Sequence, residues 1–358
     1  MKNTHSYLSR AGVRAVIFGG AGAEHDISRL SAGSFIAEAQ RLGFEILPIF
    51  IDKNGDFYIY FGETSAIGDI ERGLDEASLV STFPVKLAGE GGFLLSGEII
   101  PVTLAVPVLH GDYGEDGRVQ GLLECAGIKF VGADTVCGAV SCDKAYAKAV
   151  AVSAGVKTLP WRTFSREQYF SDAEAAFAEV TEKIGLPAFI KPTGLGSSIG
   201  ASPARSREEL SRALREAFSV SERVMAEPAL LSKRELECAY FDMGGKRVIT
   251  HPAEVKVSDG FYDFRHKYFD TGEVKLCERA DVSGAVSSLV MRESDALASA
   301  LGVRHIARFD YFLDSDGELY FNEVNTFPGL TAGSLYTRML AGEGIGYADF
   351  VRLTLGVF

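Results

Sequence analysis

The stretch 307-ARFDYFLDSDGELYFNEVNTFPG-329 reads as two strands around a tight turn, and one face of that hairpin carries chemistry. Alternation through 307-ARFDYFL-313 puts Arg308, Asp310 and Phe312 on one side of the first strand. Asp314, Asp316 and Gly317 supply a turn, and 318-ELYFNEV-324 runs back. If Asp314 faces Leu319, Asp310 falls opposite Glu323 and Arg308 opposite Asn325. Two carboxylates and an amide then converge beside a guanidinium. Like charges directly opposite one another destabilise a sheet unless something neutralises them. An oxygen-rich set without sulfur or histidine suits Mg2+ or Mn2+, with phosphate oxygens and water completing the shell. The plainer alternative is a solvated face whose charges pair with arginines. Arg308 favours the cation, because a guanidinium beside a divalent ion stabilises a transferred phosphoryl group and a developing oxyanion.

Upstream, 191-KPTGLGSSIGAS-202 looks like a phosphate-gripping loop in an unusual order. A Walker loop places its glycines before its lysine, whereas Lys191 comes first, at the end of the apolar run 187-PAFI-190. Gly194, Gly196 and Gly200 allow a close backbone approach to phosphate, and Ser197 and Ser198 can donate hydrogen bonds. Strand-like runs 187–192, 223–229 and 235–243 surround a helix over 207–218. Ser206 and Glu209 at its start form a capping-box pattern. Gly244-Gly245 predicts a hairpin to 246-KRVIT-250. From 251 onward come a Gly/Asp/aromatic loop, a helix near 290–301, the hairpin and a closing helical segment.

The first 140 residues have a different rhythm. The run 13-VRAVIFGG-20 is a buried strand, Ile27, Leu30, Ser31, Phe35 and Ala39 recur at helical spacing, and 45-EILPIFID-52 is a second strand. A further strand at 103–111, a helix at 118–126 and a short strand at 128–132 follow, with another helix near 141–154. Short apolar strands alternating with helices predict a parallel sheet covered on both faces. The expected class is therefore α/β: an N-terminal parallel-sheet, Rossmann-like domain over 1–140, then two α+β lobes over 141–228 and 229–358.

At 358 residues, the chain has room for those three parts. No run of eighteen apolar residues appears, so no membrane span is expected. The start MKNTHSYLSR lacks the apolar core of a secretory signal, and the five scattered cysteines contain no CxxC pair; a reduced, cytoplasmic protein fits. A net charge of −12 argues against nucleic acid as the main partner.

The order Lys144, glycine loop behind Lys191, Glu227 in an apolar strand, and D…E-x-N hairpin resembles the ATP-grasp fold. Within it, the chain resembles the D-alanine–D-alanine ligases. The matching segments are 18-FGGAGAEHDISRLSA-32, 108-VLHGDYGEDGRVQG-121, 141-SCDK-144, 190-IKPTGLGSSIG-200, 259-DGFYDFRHKY-268 and 322-NEVNTFPGLTAGSLY-336, in the family's order and across nearly the whole chain. The resemblance implies that the glycine loop is a flap folding over ATP, which lets its lysine sit on the preceding strand. It places Lys144, Lys191, Ser197, Ser198 and Lys267 on the nucleotide, mainly its phosphates, and Glu227 and Glu235 at adenine and ribose. Asp310, Glu323 and Asn325 would hold two Mg2+ (or Mn2+) ions. Arg308 and the N–H of Gly329 would bind the oxyanion. Glu24 would bind the ammonium of the first D-alanine and His110 would lie near its carboxylate, while Ser334 and Leu335 would hold the second substrate's carboxylate. Tyr268 would join Ser197 and Glu24 in a latch on a lid over 258–272, which shields an acyl phosphate from water. Members of the family are commonly dimeric.

Rival readings are separable. The loop 19-GGAGAE-24 lacks the G-x-G-x-x-G of a dinucleotide-binding dehydrogenase. A different ATP-grasp ligase would keep the lysines and the hairpin, but not Glu24, HGDYGEDG or 333-GSL-335. Sister enzymes making D-Ala-D-Ser or D-Ala-D-lactate are the nearest alternative; Lys267-Tyr268 argues against the lactate type, and Leu335 leans towards D-alanine. A nucleotide-binding protein with a decayed site would not need the intact Arg308, Asp310, Glu323 and Asn325. Thr193, Leu195, Cys142 and Pro228 depart from the family's commonest choices, which bears on fine specificity.

Overall fold

The computed structural model of the chain describes residues 12–87, 90–257 and 274–357, and these residues form three sheets. The first has the order β4-β3-β2-β1-β7-β6-β5. Its centre is β1 (Val13–Gly19), flanked in parallel by β2 (Ile46–Ile51) and β7 (Glu98–Pro107). Ala15 to Phe18 are fully buried, as an apolar central strand covered on both faces requires. Helix α1 (His25–Arg41) crosses from β1 to β2 and buries Ile27, Phe35, Ile36 and Ala39 against the sheet.

Among the described strands of this sheet, only these three run parallel. β3 (Phe57–Tyr60), β4 (Leu79–Thr82), β5 (Pro84–Leu87) and β6 (Glu90–Leu95) join antiparallel, so the expected parallel sheet forms the centre of a mixed one. Residues 57–101 carry tight turns such as Ser96-Gly97, with φ of 52° and 89°, where a parallel crossover would need a helix. The segment 128–132, expected as a strand, makes a single parallel bridge between Phe130 and Ala105.

Three helices lead to the second sheet: α2 (Arg118–Cys125), α3 (Thr135–Cys142) and α4 (Lys144–Ser153). The single helix expected near 141–154 is instead broken at Asp143, whose extended backbone and carboxylate cap α4, accepting from the N–H groups of Ala145 (3.0 Å) and Tyr146 (3.1 Å). That break puts Lys144 at the first position of a new helix.

The second sheet, order β10-β9-β11-β8, is antiparallel and comprises β8 (Arg162–Ser165), β9 (Ala188–Pro192), β10 (Ser202–Ala204) and β11 (Arg223–Pro228). It packs Ile190 and Val224 against residues of α5 (Arg166–Ser171), α6 (Ala173–Lys183) and α7 (Arg207–Val220). The Ser206 hydroxyl caps α7 by accepting from Glu209 N–H (3.2 Å), but Glu209 reaches one residue further back than a capping box, to Arg205 N–H (2.7 Å).

The third sheet has the order β15-β14-β12-β16-β17, with β13 paired to β12. Its strands are β12 (Lys233–Met243), β13 (Lys246–Ile249), β14 (Ala253–Val257), β15 (Val274–Cys277), β16 (His305–Asp314) and β17 (Leu319–Asn325). Helix α8 (Gly284–Leu301) covers one face together with α3 and α4, burying Phe309, Tyr311 and Phe321. After α9 (Leu335–Gly342), α10 (Tyr347–Leu355) returns to the N-terminal sheet, where Phe350 meets Phe35 and Arg14 Nε donates to Leu355 O (2.8 Å). Among the described residues, no helix is long and apolar enough to cross a membrane.

Candidate active site

The hairpin expected from the sequence is β16–β17, and its chemical face has a simple row structure. Glu237, Asp310 and Glu323 lie side by side on β12, β16 and β17; Ala239, Arg308 and Asn325 form the next row. Near the turn Leu319 pairs with Leu313, one residue away from the expected Asp314. A bulge at Asn322, between the Tyr311–Phe321 and Asp310–Glu323 pairs, restores the expected opposition of the site residues.

Three carboxylates in one row demand compensation, and basic side chains supply it. Arg308, 8% exposed, donates from Nε to Asp310 Oδ1 and from Nη2 to Asp310 Oδ2, both at 2.7 Å, and its Nε also lies 2.9 Å from Glu237 Oε2. Asn325 Nδ2 donates to Asp310 Oδ2 at 3.0 Å. Lys144 Nζ sits 3.1 Å from Glu323 Oε2. Among the described residues no three His, Cys, Asp or Glu side chains gather closely enough to make a metal site by themselves. Two carboxylates and an amide oxygen still fit a hard divalent cation of the kind that arrives with phosphate oxygens and water.

Opposite this face stands the flap after β9. Three consecutive flap carbonyls are held from the α3–α4 break: Thr193 O by Lys144 N–H (2.8 Å), Gly194 O by the Cys142 thiol (3.4 Å) and Leu195 O by Lys144 Nζ (2.8 Å). Ser197 and Ser198 both adopt left-handed backbone, φ 52° and 59°, a conformation that non-glycine residues hold only when their surroundings enforce it. The Ser197 hydroxyl donates to the buried carboxylate of Glu24, which precedes α1 in the N-terminal domain.

Behind the flap, Lys191 Nζ donates to Asn322 Oδ1 (3.0 Å) and lies 2.6 Å from Glu227 Oε1, while Lys148 Nζ lies 2.9 Å from Glu227 Oε2. Burial by itself would raise the Glu227 carboxyl, but the pull of Lys148 and Lys191 outweighs it and holds the group at about 2. Burial lowers Lys191 to about 8, against the opposing pull of Glu227. The stability contributed by Glu227 is accordingly present above its unfolded value of 4.5 and lost as pH falls towards 2. The carboxyl carbon signal of Glu227, followed by NMR in acid, should titrate well below those of exposed glutamates.

The expected site residues fall into two neighbouring groups. Lys144, Lys191, Ser197, Ser198, Glu227, Glu235, Arg308, Asp310 and Glu323 line one cleft of about 640 Å3 between the second and third sheets. Glu235 pairs there with Lys233 (3.0 Å). Both oxygens of Glu227 face lysines there, and residues 228–230 line the same cleft. Gly329, Ser334 and Leu335 cluster after β17: a Cβ on Gly329 would sit 3.2 Å from Ser334 Oγ, and Leu335 opens α9, where N–H groups lack intrahelical acceptors. His110 is clamped. Its Nδ1 must carry the proton it donates to Phe327 O (2.8 Å), and Nε2 faces Ser31 Oγ (2.9 Å), so both nitrogens tie α1 to the loop after β17. A substrate carboxylate would reach that ring only by displacing Ser31. Lys267 and Tyr268 lie outside the described residues.

Three residues of the site were not singled out from sequence. Lys148 follows Lys144 at i+4 on the same helix face, and Glu237 alternates with Glu235 along β12, so both carried a periodicity signal. Asn322 points to Lys191 because of the bulge, which no pattern announced.

Residues 14–133 match the family described as D-ala D-ala ligase N-terminus, and residues 150–355 match D-ala D-ala ligase C-terminus. Among curated relatives, a D-alanine–D-alanine ligase of Kineococcus radiotolerans is 36% identical, covering 94% of each chain. One from Mycobacterium ulcerans is also 36% identical, over 95% of this chain and 94% of the relative. Among solved structures, the VanG D-Ala:D-Ser ligase from Enterococcus faecalis superposes with a TM-score of 0.85 at 32% identity, covering 97% of this chain and 99% of that one.

Proposed function

Because the chain belongs to the D-alanine–D-alanine ligase family, we propose that its cleft joins two molecules of D-alanine in an ATP-driven reaction, with nucleotide, cation and amino-acid duties divided among the residues around it. The chain is an ATP-dependent, ADP-forming carboxylate–amine ligase, and its product, D-alanyl-D-alanine, is a precursor for peptidoglycan. The single observation that carries the residue assignment is the meeting of Lys144, Lys191 and Arg308 with Asp310 and Glu323 in one cleft.

A free carboxylate is a poor electrophile, so one oxygen of the first D-alanine attacks the γ-phosphorus of ATP and ADP departs. Lys144 and Lys191 hold the phosphates during this transfer, with Ser198 and the flap backbone above them and Lys267 added from the lid. A divalent cation, two ions in our reading, would be held by Asp310, Glu323 and Asn325 and would neutralise the phosphate oxygens. To hold phosphate, Lys144 first leaves Glu323 and Leu195 O. The amine of the second D-alanine attacks the carbonyl of the acyl phosphate, and phosphate leaves as the tetrahedral intermediate collapses. Arg308 and the N–H of Gly329 stabilise the oxyanion. Glu24 orients the ammonium of the first D-alanine, His110 borders its carboxylate, and Ser334 and the N–H of Leu335 orient the second carboxylate. Ser197 on Glu24, joined by Tyr268, fastens the flap so that water is kept from the acyl phosphate.

Incubation with ATP, Mg2+ and D-alanine should release phosphate and yield a dipeptide identifiable by mass spectrometry. Phosphate release that needs D-serine or D-lactate as the second component would reassign the second subsite, and no release with any pairing would remove the ligase reading.

Gly111 gives a sharper local test. It has φ of 65°, and a Cβ there would lie 2.2 Å from Glu24 Oε2. Gly111→Ala should therefore push the carboxylate aside and add about 1–2 kcal/mol of backbone strain. The expected kinetic result is a KM for the first D-alanine raised by about tenfold, with the KM for ATP little changed. Equal changes in both would break the link between Glu24 and the amino acid.

A further inference from the structure

None of the duties above uses Lys148, yet it is a fully buried charge behind the cleft wall, against Glu227. It sits one turn beyond Lys144 on α4, among Ala145, Ala147 and Ala151, with no exposed surface. Its Nζ is 2.9 Å from Glu227 Oε2, at an angle outside hydrogen-bond geometry, so the contact is chiefly a charge pair. Glu227, itself 2% exposed, gives its other oxygen to Lys191 at 2.6 Å. Burying an ammonium in such a place costs several kcal/mol before pairing, and an apolar residue would pack beside the alanines without that cost.

The three side chains carry two positive charges and one negative, a surplus of one positive charge among buried groups. Glu227 cannot satisfy both lysines, and the remaining acceptor of Lys191 is the neutral Asn322 Oδ1. We infer that Lys148 is a positioning residue for the nucleotide: by occupying one oxygen of Glu227 it keeps Lys191 incompletely neutralised and directed into the cleft, ready for a phosphate oxygen to replace Asn322. The inference deepens the proposed function and rests on its placing of ATP in this cleft. Without Lys148, both oxygens of Glu227 would be free to clamp Lys191 and cancel its charge.

The groups acting on Lys191 are Glu227 from β11, Lys148 and Lys144 from α4, and the amide of Asn322 from β17. Burial is the largest influence in lowering Lys191 to about 8; Glu227 opposes it, and Lys148 and Lys144 reinforce it. The alkaline limb of kcat/KM for ATP therefore reports on the same arrangement.

The test compares the wild-type chain with Lys148→Met, Lys148→Arg, Glu227→Gln and the double variant Lys148→Met/Glu227→Gln. Lys148→Met should raise the KM for ATP by about tenfold or more, the size of one lost charge-assisted contact, with kcat within about threefold. Its alkaline limb should move to higher pH. Lys148→Arg keeps the charge and should stay within about threefold of wild type. In the double variant Glu227 has no charge left with which to cancel that of Lys191, so its affinity for ATP by calorimetry should lie within about threefold of that of Glu227→Gln alone. If Lys148→Met does not fold, the double variant carries the test, and ATP binding more than about tenfold weaker than that of Glu227→Gln alone overturns the inference. A Lys148→Met enzyme with lowered melting temperature but wild-type KM for ATP and an unmoved alkaline limb also overturns it, leaving Lys148 a packing element. Wild-type protein that binds no ATP would instead sink the proposed function.

Discussion

Replacing Arg308 with alanine is expected to lower kcat for dipeptide formation by about 10²–10³-fold, the loss seen when one preorganised oxyanion donor is removed, while ATP affinity stays within about threefold. In our reading the guanidinium is held ready for this before any substrate arrives. It is 8% exposed, forks onto both oxygens of Asp310 and touches Glu237, so it needs no reorganisation when negative charge develops nearby. Lys144 and Lys191 remain to hold the triphosphate, which is why binding and chemistry should separate. The variant should also be less stable, because Glu237, Asp310 and Glu323 then share one row without Arg308; breaking a buried pair costs about 3–5 kcal/mol. With ATP affinity nearly unchanged, ligand should stabilise the variant and the wild type by nearly the same free energy. Arg308→Lys keeps the charge but not the fork and should recover stability more fully than rate. Loss of ATP binding in step with activity would assign Arg308 to the nucleotide and end its oxyanion role.

How much of this was legible in the sequence depends on the kind of signal. Period-two alternation put Arg308, Asp310, Glu323 and Asn325 on one face, and the parity was right although the turn register was not. The pairing expected from Asp314 opposite Leu319 is one residue off at the turn, and the bulge at Asn322 shifts it back before the site is reached. Two unreadable irregularities thus offset each other. The N-terminal sheet was harder: its buried parallel centre is an apolar run that stands out, whereas the hairpins over 57–101 are short, half-exposed strands with weak alternation. Asp143 illustrates a third case. A sequence reading naturally runs a helix through SCDK, but an aspartate that can cap the next turn breaks it and thereby aims Lys144 at Glu323. Lys148 was visible as a residue and invisible as a participant, since only the folded approach of its ammonium to Glu227 on β11 shows that its charge has a partner.

Glu323→Gln is the second large effect. Glu323 serves two cations in turn: it pairs with Lys144 at 3.1 Å in the structure described here, and in our reading it receives the divalent ion when the nucleotide enters. The amide keeps the shape of the side chain and removes its charge, and the set would then hold a divalent ion through Asp310 and neutral oxygens alone. With so few protein carboxylates, the loss of one should weaken cation binding by about 100-fold and lower kcat at saturating ATP by at least as much, roughly 3 kcal/mol of transition-state stabilisation. Binding of Mn2+ in the presence of ADP, followed by electron paramagnetic resonance, separates this from a defect in the chemical step. Lys144 should stay in place, because Leu195 O still accepts from its Nζ at 2.8 Å, so metal-free binding of ATP should be preserved or slightly improved by the lost negative charge. High cation concentration should then restore part of the rate. If Mn2+ binds Glu323→Gln as tightly as wild type, the hairpin face is a salt-bridged wall of the cleft and the cation sits elsewhere.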